Sequence, residues 1–201
     1  MEFTKKLKQG STYIKYKQRI PSDLIIKKSE FQDFWDTHPD NRGNVIICGK
    51  QITTPRFFQN YGESYNFSGK KHESIPITPF LQKYLDYINN LNKDKDYQFN
   101  QILVNWYQDG TDYIGYHSDD ESQLVPNTSI YCFSFGQERD FFLKSKNVDI
   151  DETYKYQLLN NSLIEMGGEC QKYYKHSISK ICGEKANKTK PRISITIRSF
   201  T

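Results

Sequence analysis

Apolar residues along this chain follow two rhythms. Between Thr78 and Leu91 they recur every three or four positions, at Phe80, Leu81, Tyr84, Leu85, Ile88 and Leu91, which is the spacing of one helix face. Thr78 suits the N-cap and Pro79 the first helical position, and the polar run from Asn92 to Asp96 ends the element. A shorter helix is predicted from Glu30 to Thr37, capped by Ser29 and stopped by Pro39. The turn signal Asp40–Gly43 leads into a strand at Val45–Ile47. After the long helix the rhythm changes to short strand-like runs: 99–107, 129–135, 140–143, 154–159, 163–166, 173–178 and 192–199. Asp-Gly, Phe-Gly, Asn-Asn and Gly-Gly turns separate them. Many short strands at this spacing predict a mainly β domain with flanking helices, a sandwich or jelly roll. Residues 1–28 show neither rhythm and read as a basic, irregular, partly disordered segment. No linker divides the 201 residues, which suit one domain.

The last run has a sharper pattern. At strand period two, Arg192, Ser194, Thr196 and Arg198 share one face and Ile193, Ile195 and Ile197 the other. The isoleucines require an apolar partner. The polar face is either solvent-exposed, as on many antiparallel strands, or turned inward to present two guanidiniums and two hydroxyls to an anion. Arginine suits the second task because its planar fork bonds a carboxylate through two parallel hydrogen bonds.

Composition narrows the class. Aromatic residues make up 15% of the chain, enough to build a core and exclude a wholly disordered chain. No run approaches ~18 consecutive apolar residues, so no membrane helix is expected. Met1–Gln18 is basic without an apolar centre, so no secretory signal is expected. The four cysteines (Cys48, Cys132, Cys170, Cys182) form no CxxC pair and are expected as free thiols in a reducing compartment. An intracellular location follows, in nucleus or cytoplasm.

The net charge of +4 says little alone, but its layout is uneven. Lys5–Lys28 and Lys172–Arg198 each hold eight Lys or Arg and one acid, whereas Asp109–Glu121 holds five acids and no Lys or Arg. Basic arms of this kind either hold phosphates or form a solvated surface. Placing Arg192 and Arg198 inside leaves an expected surface less basic than the count.

His117-Ser118-Asp119 lies in the acidic stretch. In extended chain its imidazole and carboxylate project to one side, within reach of one dication. HxD is common at surfaces, so that ordinary reading stays open beside the metal one. Two His and one carboxylate on one face of an octahedron form the non-haem Fe(II) oxygenase pattern. His38 beside Pro39 and His72 among charged neighbours read as surface residues, which leaves His176 as the remaining candidate for a third ligand. Cys170, His176 and Cys182 offer a rival zinc set with irregular spacing. Asn105 and Tyr107 share a strand face, as do Tyr65 and Phe67; aromatics so placed either pack in a core or stack on bases.

These residues fall into ordered blocks: Pro55-Arg56 with Asn60-Tyr61-Gly62; Tyr65 to Gly69; Asn105 to Gly110; His117 to Glu121; Ser134-Phe135-Gly136 with Arg139-Asp140-Phe141; His176-Ser177; and Arg192 to Arg198. In order and spacing the chain, from about Gly49 to Phe200, resembles the AlkB-type Fe(II)/2-oxoglutarate-dependent dioxygenases of the nucleic-acid alkylation-repair branch. The resemblance implies a double-stranded β-helix over 46–201, with residues 1–45 as a basic segment and short helix of the same domain, and N-terminal nucleotide-recognition hairpins. It implies Fe(II) on His117, Asp119 and His176, with O2 as co-reactant and 2-oxoglutarate held by Asn105, Tyr107, Arg192, Thr196 and Arg198. Arg192 is expected on the far carboxylate and Arg198 nearer the iron. It implies oxidative demethylation of 1-methyladenine and 3-methylcytosine, the methyl group leaving as formaldehyde. The partner is then alkylated DNA, single- or double-stranded, or RNA, with no membrane and a monomeric enzyme. Tyr65 and Phe67 would line the base pocket, Glu121 would read a base edge and Arg56 would touch the phosphate backbone. A base in duplex would have to flip out of the stack.

Two positions depart from that pattern. Duplex-specialised relatives carry a bulky aromatic where Cys48 stands, before Gly49-Lys50; Ile47 is the nearest apolar substitute, and strong duplex preference is not expected. Ser194 stands where many relatives have Asn, at the expense of one contact to 2-oxoglutarate. Two other readings keep the sequence pattern: a related dioxygenase acting on RNA or protein, and a non-catalytic nucleic-acid-binding module.

Overall fold

The computed structural model describes every residue except Cys48, Ser68 and Gly69, and for Ile47, 65–67 and 70–72 it describes the backbone alone. In chain order the elements are β1 (Glu2–Lys6), β2 (Thr12–Lys17), α1 (Lys28–Trp35), β3 (Asn44–Ile47), β4 (Lys50–Thr53), β5 (Phe57–Gly62), β6 (Tyr65–Phe67), β7 (Lys70–His72), α2 (Pro79–Leu91), β8 (Gln101–Tyr107), β9 (Ile114–His117), β10 (Ile130–Gly136), β11 (Arg139–Ser145), β12 (Thr153–Leu158), β13 (Ser162–Gly168), α3 (Cys170–Tyr173), β14 (Tyr174–Ile178), α4 (Glu184–Lys188) and β15 (Arg192–Arg198).

From β8 onward the chain crosses repeatedly between two facing sheets, staying in one only for the β11–β12 hairpin. A major sheet runs β1-β2-β13-β10-β15-β8-β5 and a minor sheet β12-β11-β14-β9. Strands that change sheets in this way make a double-stranded β-helix, the predicted jelly roll. The hairpins β3–β4 and β6–β7 stand apart from both sheets. The turn from β10 to β11 uses Gly136 at φ 82°, where a Cβ would lie 2.5 Å from the Pro191 carbonyl oxygen; glycine alone takes that conformation without strain.

The major sheet is covered on both faces. Ile193, Ile195 and Ile197 of β15, with Ile102, Val104 and Trp106 of β8, pack beneath Phe34 of α1 and Leu81, Tyr84, Leu85 and Ile88 of α2. The opposite face of β15 looks toward the minor sheet, so its polar residues are buried rather than solvated. Ladder register places Arg192 opposite Tyr107, Ser194 opposite Asn105 and Arg198 opposite Gln101. A second core, containing Ile14, Tyr107, Phe141, Leu143, Ile164 and Ile178, fills the space between the sheets.

Three expectations need correction. The N-terminal segment is not irregular: β1 and β2 form a hairpin that joins the major sheet through β13. Its alternation is real, with Ile14 and Tyr16 buried and Lys15 exposed, but lysines on the outer face obscure it. Helix α1 begins at Lys28 rather than Glu30, because the Glu30 carboxylate reaches back to accept from the Lys27 N–H at 2.8 Å, the acidic half of a capping box. Leu91, placed in the apolar stripe of α2, is 54% exposed at the helix end; Thr78 caps that helix as expected, accepting from the Leu81 N–H.

Candidate active site

Three elements bring the metal-ligand candidates together. His117 ends β9, Asp119 follows it directly, and His176 lies on β14 opposite His117 in the ladder. Their ligand atoms all lie within 4.8 Å of one another, the one such group of His, Cys, Asp and Glu among the described residues. Asp119 stands 3.6 Å from His117 Nε2 and 3.9 Å from His176 Nε2. His117 Nδ1 lies 2.9 Å from the Gly115 carbonyl oxygen; that bond places the proton on Nδ1 and leaves the Nε2 lone pair facing Asp119. The Ser118 hydroxyl donates to the Tyr174 carbonyl and the Asp119 N–H to the Gln171 side chain, which fixes the loop between the ligands.

The electrostatics suit a cation. Burial pushes the His176 imidazole down to about 3, aided by His117 and Arg198. Burial also lowers His117. Both imidazoles are therefore neutral near pH 7 and able to donate lone pairs to a metal. Burial alone would raise the Asp119 carboxyl, but the Arg198 guanidinium holds it below the usual carboxylate value. Burial lifts Glu121 above its usual value, against the opposing pull of Arg198. Arg198 connects these groups: its Nη1 is 2.5 Å from Glu121 Oε1 and 3.7 Å from Asp119, and its Nε donates to Gln101 Oε1 at 2.8 Å.

A narrow cavity leads from the triad between the sheets to Arg192, walled by Asn105, Tyr107, Cys132, Ser194 and Thr196. Arg192 is 1% exposed. Its Nη2 donates to Ser134 Oγ at 2.8 Å, its guanidinium lies over the Tyr107 ring at 5.0 Å, and its Nε and Nη1 have no hydrogen-bond acceptor among the described residues. A buried cation with two unused donors at the end of a cavity is an anion site. On the other side of the triad a cleft of about 400 Å³ opens to solvent. Its lining brings Val45 and Ile52 of the β3–β4 hairpin and the following Pro55 together with Tyr113, Ile114 and Tyr116 at β9, and with the polar His117, Asp119, Glu121 and Arg198.

Most residues singled out in the sequence meet here. Asn105, Tyr107, Arg192 and Thr196 line the inner cavity, while Glu121 and Arg198 border the cleft. Arg56 lines the cleft but turns inward, its Nε donating to Asn105 Oδ1 at 2.7 Å. Tyr65 and Phe67 fall on β6; their side chains lie outside the described residues, as do Cys48 and the side chains of Ile47 and His72. His38 stacks on Phe57 at 4.3 Å and is half-buried rather than free at the surface. The rival zinc set is not assembled: the one group of converging ligand atoms among the described residues is His117, Asp119 and His176, and it includes neither the buried Cys170 nor the exposed Cys182. Gln101 and Gln171 were not singled out in the sequence, and Ser134 and Cys132 stood there without a role at the site. Gln101 was discoverable, standing at even spacing from Asn105 and Tyr107 on one strand; Gln171, in a four-residue helix, carries no such signal.

A family model described as the 2OG-Fe(II) oxygenase superfamily matches residues 22–198. The DNA oxidative demethylase ALKBH2 of Mus musculus is 32% identical over 165 residues, covering 78% of this chain and 66% of that protein. The alpha-ketoglutarate-dependent dioxygenase alkB homolog 3 of Mus musculus is 29% identical over 153 residues, covering 72% and 51%. The matched stretch thus spans less than two thirds of these curated relatives. The solved structure of OsALKBH1 superposes with a TM-score of 0.58 over 96% of this chain and 100% of that one at 16% identity, which is a likeness of fold. That family takes Fe(II), 2-oxoglutarate and O2. The donors fit: two neutral imidazoles and a carboxylate suit Fe(II), and the underused Arg192 suits a dicarboxylate. The chain belongs to the 2OG-Fe(II) oxygenase superfamily and, within it, to the AlkB type.

Proposed function

We propose that this chain is a Fe(II)/2-oxoglutarate-dependent dioxygenase that demethylates 1-methyladenine and 3-methylcytosine in DNA, in single strands or flipped from a duplex, and in RNA. The carrying observation is the placement of the triad between an inner cavity that ends on a buried cation and an outer apolar cleft.

His117, Asp119 and His176 would hold the iron. Arg192 would pair with the far carboxylate of 2-oxoglutarate, Asn105, Tyr107 and Thr196 would line its chain, and Arg198 would stand near the iron end. With O2, the bound iron and 2-oxoglutarate supply the oxidation that hydroxylates the N-methyl carbon, releasing succinate and CO2. The chain's own contribution is positional. The apolar walls admit a flat ring and displace water, and the closeness of cleft and triad holds the methyl carbon at the reacting end. The hydroxymethyl product then loses formaldehyde. Tyr65, Phe67 and Glu121 would contact the base and Arg56 the strand. The enzyme would act as an intracellular monomer, in nucleus or cytoplasm.

The test is formaldehyde and succinate release with Fe(II) and 2-oxoglutarate from oligonucleotides carrying 1-methyladenine or 3-methylcytosine, as single-stranded DNA, duplex DNA and RNA. Release from one or more is expected. Succinate formation with no formaldehyde from any would keep the dioxygenase and overturn the substrate.

A further inference from the structure

We infer that the Arg42–Asp112 ion pair is a positioning element that sets the width of the cleft and thereby the affinity for a methylated nucleobase. The inference rests on the function proposed above. The two walls of the cleft come from separate parts of the fold. Hairpin β3–β4 supplies Val45 and Ile52 and pairs with neither sheet. Strand β9, which carries His117, supplies Ile114 and Tyr116. Arg42 lies two residues before β3, and Asp112 two residues before β9. The pair therefore joins the root of one wall to the root of the other.

The geometry is that of a fixed joint. Arg42 Nη1 and Nη2 meet Asp112 Oδ1 and Oδ2 at 2.6 and 3.1 Å, a two-pronged contact. The Asp112 carboxylate also accepts from the Gln108 N–H at 2.8 Å and is 2% exposed, so it cannot exchange Arg42 for water without moving. The Arg42 guanidinium sits 4.8 Å over the Phe57 ring, which holds it from the β5 side. Behind it, the Thr54 N–H closes the root of the hairpin on the Gly43 carbonyl at 2.8 Å. A planar ring held between apolar walls loses contact steeply as the gap widens, so a joint at the roots acts on ring affinity without touching the ring.

The experiment measures binding and turnover of a 1-methyladenine oligonucleotide by wild type, Arg42→Met, Arg42→Lys, Asp112→Asn and the Arg42→Met/Asp112→Asn double variant. Binding is read by fluorescence anisotropy in protein loaded with Mn(II) and 2-oxoglutarate. The affinity for 2-oxoglutarate is read separately from its protection against thermal unfolding. Arg42→Met is expected to weaken oligonucleotide binding and raise its KM at least tenfold, with 2-oxoglutarate affinity changed less than twofold. Arg42→Lys, which keeps the charge but not the fork, should recover part of the loss, and the double variant should be no worse than the poorer single. Should Asp112→Asn fail to fold, the two Arg42 variants decide alone. A folded Arg42→Met with oligonucleotide affinity within twofold of wild type would overturn the inference, as would equal losses for both ligands or strictly additive effects. A wild-type protein that binds and processes no methylated oligonucleotide would instead overturn the proposed function.

Discussion

Arg192 is a charged group with fewer partners than its burial calls for. One of its nitrogens donates to Ser134, while Nε and Nη1 are buried without an acceptor among the described residues. Such a group weakens the fold until an anion meets it. Arg192→Met, close in shape and uncharged, is therefore expected to raise the melting temperature of the metal-free protein by the equivalent of ~1 kcal/mol or more. The same variant should raise the KM for 2-oxoglutarate at least tenfold, and added 2-oxoglutarate should no longer shift its melting temperature. Thermal unfolding with and without 2-oxoglutarate reads both effects; a less stable variant that still responds to 2-oxoglutarate would contradict the assignment. His176 makes a second prediction at this scale. Its folded value, about 3, lies below the ordinary 6.5 chiefly because it is buried. The unfolded chain thus takes up a proton first, so this contribution to stability is complete above pH 6.5 and lost as pH falls. The loss amounts to roughly 2–3 kcal/mol by pH 4.5. Denaturant titrations of the metal-free protein at pH 7.5 and 4.5 should show it, and His176→Gln should flatten the profile.

At the scale of elements, β15 holds core and site together because its two faces are committed to opposite neighbours. Ile195 is fully buried under the helices, while Ser194 and Thr196 beside it face the inner cavity. Ile195→Ala should cost about 2–5 kcal/mol by opening a cavity the helices cannot close. In contrast to Arg192→Met, it should spare 2-oxoglutarate affinity in whatever fraction remains folded. Chemical denaturation together with ligand protection separates the two. The alternation of this strand was plain in the sequence, as was the shared face of Asn105 and Tyr107, but the register that aligns the two strands came only with the ladder. Which face pointed inward was not: an inward polar face and a solvated one have the same period, and the choice was made by α1 and α2 packing on the isoleucines. Strand β2 shows the converse. Its period-two pattern, Ile14 and Tyr16 against Lys15 and Lys17, was present but hidden in a segment whose charge suggested disorder. Strands β5 and β9 are short and unpatterned, and they become strands through pairing with β8 and β14, partners distant in sequence.

At the scale of the whole molecule, burial changes the meaning of the charge count. The buried charged residues include three arginines (Arg139, Arg192, Arg198) but five acids (Asp112, Asp119, Glu121, Glu152, Glu165). More acid than base is withdrawn from water, so the surface is more basic than the net +4 indicates, opposite to the expectation drawn from Arg192 and Arg198 alone. Four of the five buried acids are matched internally: Asp112 by Arg42, Glu121 by Arg198, Glu152 by the Tyr154 and Tyr174 hydroxyls, and Glu165 by the hydroxyls of Tyr13 and Ser129; the fifth, Asp119, belongs to the triad. A surface this basic should add a phosphate contribution to binding that is independent of the methyl group. If about three phosphates are met, the dissociation constant for a single-stranded oligonucleotide should rise roughly 20-fold between 50 and 200 mM salt. The ratio between methylated and unmethylated strands should stay constant over that range, because Val45, Ile52 and Ile114 hold the ring by contacts insensitive to ionic strength and the charged groups at the base of the cleft, Glu121 and Arg198, are buried where salt screens them little. Anisotropy titrations of both strands at four salt concentrations test this. A methyl preference that fell in step with affinity would show that charge, rather than the shape of the cleft, does the reading.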